Sequence, residues 1–230
     1  AKRIYDRLVD ECNFIGSYST VRDAVRRLKA EHTVPPQSDV PLAYDPGEAL
    51  QIDWGEATVY LNGQKTKVNL FCARLCNSCD ILVQAYRTQN QETFLEAHQR
   101  AFDFFAGVPK RIIFDNAKVA VKEGFGLYAK PQDKYLSFSA HYAFTLDFCN
   151  PAKGNEKGLV ENLVGYGRRN FLVPVPRVDD MKSLNQHLWK SCLDYRANHK
   201  VASRSQSVSE LYAIEKEYLS AIPKFRFDTS

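Results

Sequence analysis

Three acidic residues stand where the surrounding sequence disfavours them. Asp53 interrupts ALQIDWGEATVYL (49–61), a β-prone run in which Leu50 and Ile52 alternate with Gln51 and Asp53. Asp115 closes the short apolar run KRIIF (110–114), and Glu161 sits among Leu159, Val160 and Leu163 in a helical pattern. A carboxylate withdrawn from water is costly unless it is paired, hydrogen-bonded or metal-bound. Three that converge offer the hard oxygen donors that Mg²⁺ prefers, with Mn²⁺ as a substitute. Two such ions about 3.5–4 Å apart would clamp a phosphoryl transfer, one activating water or a 3′-hydroxyl and the other stabilising the leaving alkoxide. Blander roles exist for each acid: Asp53 as an edge residue or a turn with Gly55, Asp115 as an Asx turn with Asn116. Glu56 and Glu156 are the rival acids. Glu56 lies three residues on, hence on the opposite strand face. Glu156, five residues before Glu161, is turned away from it by about 140° on a helix and suits the exposed first turn.

Elements that could position this trio follow from periodicity. Asn62-Gly63 is the strongest short turn signal in the chain, and it joins the Asp53 strand to a second over 66–75. A third strand is expected over 80–87, giving three in antiparallel order. Residues 88–107 read as a helix capped by Asn90 and ended at Gly107-Val108-Pro109, with an apolar face that includes His98. The strand at 110–114, following a crossover helix, should run parallel to a neighbour. After an irregular stretch come a short helix at 135–141, a strand at 142–149 and a helix from Glu156 or Lys157 to about Phe171. The order βββαβαβα is that of an α/β ribonuclease-H-like mixed sheet. Its first and fourth strands are neighbours, so Asp53 and Asp115 can converge, and a helix packed across them can bring in Glu161.

Flanking this core, residues 1–32 read as two helices, the second capped by Ser19 or Thr20 and carrying Arg22, Arg26, Arg27 and Lys29. This has the look of a helix-turn-helix remnant that could meet DNA. The expected organisation is a partial helix-turn-helix at 1–33, a Pro-rich linker at 34–46, the catalytic core at 47–175 and a helical extension at 176–230. VPVP at 173–176 breaks the chain before helices at 180–199 and 207–221. The start at Ala1 within a helical pattern and the short aromatic tail suggest a piece of a longer chain.

Composition constrains the class. With 44% hydrophobic and 25% charged residues among 230, the chain is ordinary for a soluble globular protein. No apolar run approaches the roughly 18 residues of a membrane span. Formal charge is +4, but residues 151–200 hold nine Lys or Arg against five Asp or Glu. Lys118, Lys153, Lys157, Arg168 and Arg169 surround the acids and could hold DNA phosphates. Cys72, Cys76 and Cys79 match an iron–sulfur spacing, yet they are expected as buried small hydrophobes in a reducing compartment.

GEALQIDWGE, FDNAK and NPAKGNEKGLVEN resemble the three catalytic blocks of Asp-Asp-Glu transposases and retroviral-type integrases. Together with SYSTVRDAVRRLK and FLVPVP they are similar, more narrowly, to IstA-type transposases of bacterial insertion sequences. The resemblance implies that Asp53, Asp115 and Glu161 are the catalytic, metal-binding triad, with Gly158 as the small residue at the helix entry. It implies Mg²⁺-dependent cleavage at element ends and transfer of 3′-hydroxyls into target DNA, in the bacterial cytoplasm at the nucleoid. The implied partners are double-stranded DNA (terminal inverted repeats and target), an AAA+ ATPase helper of the IstB type and at least a second copy on DNA. Two readings compete: a ribonuclease-H-like nuclease without strand transfer, and a DNA-binding or assembly module with vestigial acids.

Overall fold

The computed structural model describes residues 1–31, 44–114, 121–123, 130–148, 163–201 and 204–230. Its centre is the long hairpin of β1 (Ala49–Leu61) and β2 (Gln64–Leu75). Asn62 and Gly63 both take positive φ, 47° and 75°, the backbone that matches a two-residue turn to the twist of its strands. Register runs unbroken from Leu61 opposite Gln64 to Leu50 opposite Leu75. β3 (Ile81–Tyr86) continues antiparallel on β2. α3 (Gln91–Phe105) starts at Asn90, whose side chain accepts the Thr93 amide at 2.9 Å. β4 (Arg111–Phe114) lies parallel to the start of β1, as the crossover rule requires.

Beyond it come the small pair β5 (Val121–Glu123) and β6 (Lys130–Pro131), then α4 (Asp133–Tyr142) and β7 (Thr145–Phe148), parallel to β4. A helix spans residues 163–170, here α5. β8 (Arg177–Val178) pairs with the far end of β1, and α6 (Met181–Asn198) and α7 (Val208–Glu215) follow. The sheet order is β3-β2-β1-β4-β7, with β8 also on β1, so the Asp53 strand is central as expected. This is the ribonuclease-H-like α/β arrangement.

The sheet has two unlike faces. On one, Trp54 and Phe71 meet Phe94 and His98 of α3, and Tyr135 and Phe138 of α4 close the cluster. His98 sits wholly buried there, its Nδ1 2.7 Å from the Phe94 carbonyl and its Nε2 3.0 Å from the Tyr135 hydroxyl. On the other face lie α5 and α6. The Val83 amide donates to Cys192 Sγ at 3.2 Å, and the Asn185 side chain pairs with both the N–H and the C=O of Ala85 at 2.8 and 2.9 Å. Asn185 thus occupies the edge of β3 as an extra strand would.

A buried ionic cluster ties these layers at one corner. Arg196 on α6 contacts the fully buried Asp80 at 2.7 Å. Glu215, also fully buried, accepts the amides of Ser78 at 2.7 Å and Gly47 at 3.3 Å.

Some boundaries differ from the sequence reading. α2 (Tyr18–Glu31) follows α1 (Lys2–Cys12) and begins earlier than expected, with Ser17 rather than Ser19 or Thr20 accepting an amide, that of Thr20 at 3.3 Å. α4 runs through Tyr142 and stops at Ala143, φ 58°, so β7 starts three residues later than expected. The last helix ends at Glu215 and tightens into a 3₁₀ turn at Lys216–Tyr218. β8 was not expected, because a two-residue strand leaves no alternation to read. Most of the Pro-rich linker lies outside the described residues. No helix among the described residues is long and apolar enough to cross a membrane.

Candidate functional site

Asp53 is half-buried in the middle of β1, flanked by β2 and, through the preceding residues, by β4. Its cross-strand partner is Cys72, whose side chain shares its sheet face. The Cys72 thiol is pushed well above its ordinary value, first by burial and then by the negative charge of Asp53, while Arg168 opposes. Asp53 on β1 and Arg168 on α5 are therefore both within electrostatic reach of one buried atom.

Gly55 explains how α5 comes so close. A Cβ built on Gly55 would lie 2.2 Å from Val164 Cγ1 and 3.2 Å from an Arg168 guanidinium nitrogen. Only a residue without a side chain allows the helix to rest on the strand here. Gly55 is two residues from Asp53, hence on the same face. Further along, Gly167 sits against Val83, so α5 crosses the sheet from β1 to β3. Its first described residue, Leu163, follows Glu161 by two positions in the sequence.

β4 supplies the third approach. Its last pair with β1 is Phe114 with Ile52. Asp53 and Asp115 are each the residue that follows a member of that pair. At the other end of the strand Arg111 ties three elements, donating to Glu48 at 2.6 Å and to Asp147 on β7.

Of the predicted site residues, Asp53, Arg22, Arg26, Arg27, Arg168 and Arg169 are described. Asp115, Glu161, Lys118, Lys153 and Lys157, with Asn116, Glu156, Gly158 and Asn162, lie outside the described residues. Arg22, Arg26 and Arg27 are exposed on α2, where Asp23 draws in Arg22 at 3.2 Å and Arg26 at 3.9 Å. Glu56, the rival acid, points to solvent and pairs with Lys67 at 2.7 Å. Cys72 and Cys76 are buried, as small hydrophobes would be, whereas Cys79 is only half-buried, just past a turn and with φ 61°. No three His, Cys, Asp or Glu side chains among the described residues form a metal-holding group. A set of Asp53, Asp115 and Glu161 is all-carboxylate, which suits a hard divalent cation such as Mg²⁺ rather than a thiophilic metal.

Sequence reasoning missed Gly55 as a determinant and the cluster of Asp80, Arg196 and Glu215. A glycine within a strand run was the available signal for the first. The second joins positions more than a hundred residues apart and had none.

No protein-family model matches the chain. It is 33% identical over 220 residues to a transposase of Aminobacter aminovorans, covering 93% of this chain and 43% of that protein. It is 32% identical over 196 residues to the transposase for insertion sequence element IS21 of Pseudomonas aeruginosa, covering 85% of this chain and 50% of that one. The chain thus spans about half the length, or less, of these curated relatives. Among solved structures, a chain of the simian T-cell lymphotropic virus intasome superposes with a TM-score of 0.55 at 16% identity, over 86% of this chain and 67% of that one. The catalytic core domain of BIV integrase superposes with a TM-score of 0.51 at 10% identity, over 75% and 97%. At such identities the likeness is one of fold.

Proposed function

From this homology to insertion-sequence transposases along 93% of the chain, we propose that it is the catalytic core of a DNA transposase. Asp53, Asp115 and Glu161 form its acidic triad, cutting DNA at the terminal repeats of an element and joining the 3′-hydroxyl ends to target DNA. The observation that supports this reading is that β4 and α5 both adjoin β1 close to Asp53. The pairing of β1 with β4 is described up to the residue before each aspartate, and α5 rests on Gly55 two residues beyond Asp53.

Asp53, Asp115 and Glu161 would hold the metal, Mg²⁺ or its substitute Mn²⁺. Two bound ions would supply activation of the attacking oxygen and stabilisation of the leaving one. The chain's own part is positional. β1 holds Asp53 on a rigid sheet, and in this reading Asp115, next in sequence after β4, and Glu161, shortly before α5, supply the other two carboxylates. Arg168, whose guanidinium lies beside Gly55, would meet a phosphate drawn to the site. The exposed arginines of α2, Arg22, Arg26 and Arg27, and the residues Lys118, Lys153, Lys157 and Arg169 would add contacts to the DNA backbone. In a cell the reaction would engage an IstB-type AAA+ helper and a second copy of the transposase on paired ends.

Asp53→Asn, Asp115→Asn and Glu161→Gln should each abolish joining of pre-processed terminal DNA while leaving DNA binding intact. Calorimetric titration with Mg²⁺ or Mn²⁺ should show binding to the parent chain and none to Asp53→Asn. Undiminished joining by any one of the three variants would sink the assignment. Hydrolysis products without joined strands would favour a nuclease.

A further inference from the structure

Across α5 from the Asp53 strand lies a cavity of about 600 Å³, lined by none of the residues named so far as metal or DNA contacts. Val164 and Arg168 turn one side of α5 to Gly55. Tyr166 and Asn170 stand two residues on from each, about 200° round the helix, and turn the opposite side to the cavity. About one helix diameter, 10–12 Å, separates it from β1. α6 forms the second wall with Ser191, Asp194, Tyr195 and Asn198, a single helix face by their spacing of three and four. The third wall is α1, with Lys2, Arg3 and Asp6, beside Tyr18 at the start of α2.

The lining combines rings with polar groups of a definite sense. Tyr195 stacks on His199 at 4.3 Å and 18°, and Tyr166 stands edge-on to both at 5.4 and 6.1 Å. All three are half-buried. The Asn170 side chain donates to the Tyr166 carbonyl and that of Asn198 to the Asp194 carbonyl, both at 2.9 Å. Each amide thus turns its NH₂ group to its own helix and leaves its Oδ1 as an acceptor. Asp194, exposed, adds a carboxylate. Lys2 is paired with Asp6 at 3.3 Å. Arg3, half-buried, has no carboxylate partner among the described residues, although Asp194 lines the same cavity. Rings take the flat face of a nucleobase, carbonyl and carboxylate oxygens accept from its exocyclic amino group, and an unpaired guanidinium meets the phosphate attached to it. A cationic side chain would satisfy the acceptors and leave Arg3 unanswered. A bare anion would meet Arg3 but face three acceptor groups.

We propose that the cavity between α1, α5 and α6 binds an unpaired nucleotide at the end of the duplex being processed, its base among Tyr166, Tyr195 and His199 and its phosphate on Arg3. The choice of DNA rests on the transposase reading. A cut on one strand, set back from an end, leaves the facing nucleotides unpaired, and holding one of them out of the stack keeps that end frayed beside the site. Cytosine carries the exocyclic amine that the acceptors require, whereas thymine presents a carbonyl oxygen in its place.

The test is a fluorescence-anisotropy titration of the whole chain, in chelator, with a blunt duplex and with the same duplex extended by a short 5′ single strand. The extension should tighten binding by about fivefold or more for one stacked base. Cytosine in it should bind more tightly than thymine, and 2-aminopurine in it should be quenched as it enters among the rings. Asn170→Ala/Asn198→Ala alters two exposed side chains and should erase the preference for cytosine while keeping the advantage of the extension. Arg3→Ala should make the slope of log K against log salt shallower by about 0.7, one phosphate contact on a single strand. Tyr166→Ala should abolish the quenching, and His199→Ala at the end of α6 gives the same readout with less loss of packing. Equal affinity for blunt and extended duplexes overturns the proposal, as does an unquenched probe at every position of the extension or a cytosine preference that survives loss of both amides. A chain that joins ends in Mg²⁺ without favouring the extension loses the pocket and keeps the triad. One that holds the extension yet joins nothing loses the triad alone.

Discussion

Two neighbouring rungs of the same ladder, Trp54 with Phe71 and Asp53 with Cys72, are built for opposite purposes. The first points into a cluster of rings. Trp54, Phe71, Phe94, His98, Tyr135 and Phe138 fill that side with large side chains at centroid distances of 4.5 to 6.5 Å. The second points to a face made of small residues, Gly55, Cys72, Gly167 and Cys192, where helices sit close to the strands. Bulk on one side supplies the burial that holds the sheet together. Smallness on the other lets a helix rest closely on the strand that carries Asp53. A strand with period two can do both because one residue's step reverses the face.

The difference can be broken hardest on the ring side. Phe94→Ala removes the central ring, which stacks on Trp54 and meets Tyr135 edge-on. It should cost about 3–5 kcal/mol in stability. At a temperature where the variant is still folded, its affinity for divalent ions should match the parent's. Chemical denaturation gives the first quantity and calorimetry the second. A variant that folds normally but loses ion affinity would show that the two faces are not independent.

How far the sequence revealed this division depends on the range of the interactions. The hairpin was legible because alternation and Asn62-Gly63 are local. So was α3, whose cap and apolar face fall within twenty residues. Asp53 was legible as a misfit, a carboxylate in a β run. Its neighbours Gln51 and Trp54 carried no such signal: Gln51 accepts from Arg74 at 2.8 Å, and Trp54 belongs to the ring cluster. The seat of α5 on Gly55 was not legible, since nothing local tells which helix will meet a strand glycine. Nor was Arg177 over Tyr60, which depends on a two-residue strand pairing across more than a hundred positions. Local rules gave the elements and the suspicious acids, whereas the close contacts around Asp53 are long-range packing.

The two faces should also respond oppositely to pH. On the ring side, burial lowers His98 to about 4 from 6.5, only partly opposed by the Phe94 carbonyl. Its contribution is present above the unfolded value and is lost as pH falls through about 4. On the α6 side, burial raises Asp80 to about 6 from 3.8 despite Arg196. That contribution is present below the unfolded value and is lost as pH rises through about 6. Each is worth about 3 kcal/mol by linkage, and between pH 4 and 6.5 they oppose. The parent's stability should therefore change little across that window on account of these two groups. Asp80→Asn removes one of them, so the variant should lose about 3 kcal/mol on going from pH 6.5 to about 4, read by denaturant titration at each pH. A variant as flat as its parent would show that His98 is not held neutral by the rings.

The smallest expected change in stability tests the other side of the comparison most directly. Gly55→Ala adds one methyl group where Val164 Cγ1 leaves 2.2 Å, and a β-branched valine has little freedom to turn away. Overpacking of this kind should cost about 1–3 kcal/mol. The consequence for chemistry should exceed the cost in stability, because α5 must lift from β1 at the point where the third carboxylate is to be brought in. Joining and ion affinity should both fall in a chain that remains folded. Adding Val164→Ala to Gly55→Ala makes room for the methyl group and should recover part of both. If Gly55→Ala folds, binds ions and joins DNA as the parent does, the close seat of α5 has no bearing on the site. If the second substitution recovers stability but not ion affinity, then contact at Val164 itself, rather than helix distance alone, orients the helix.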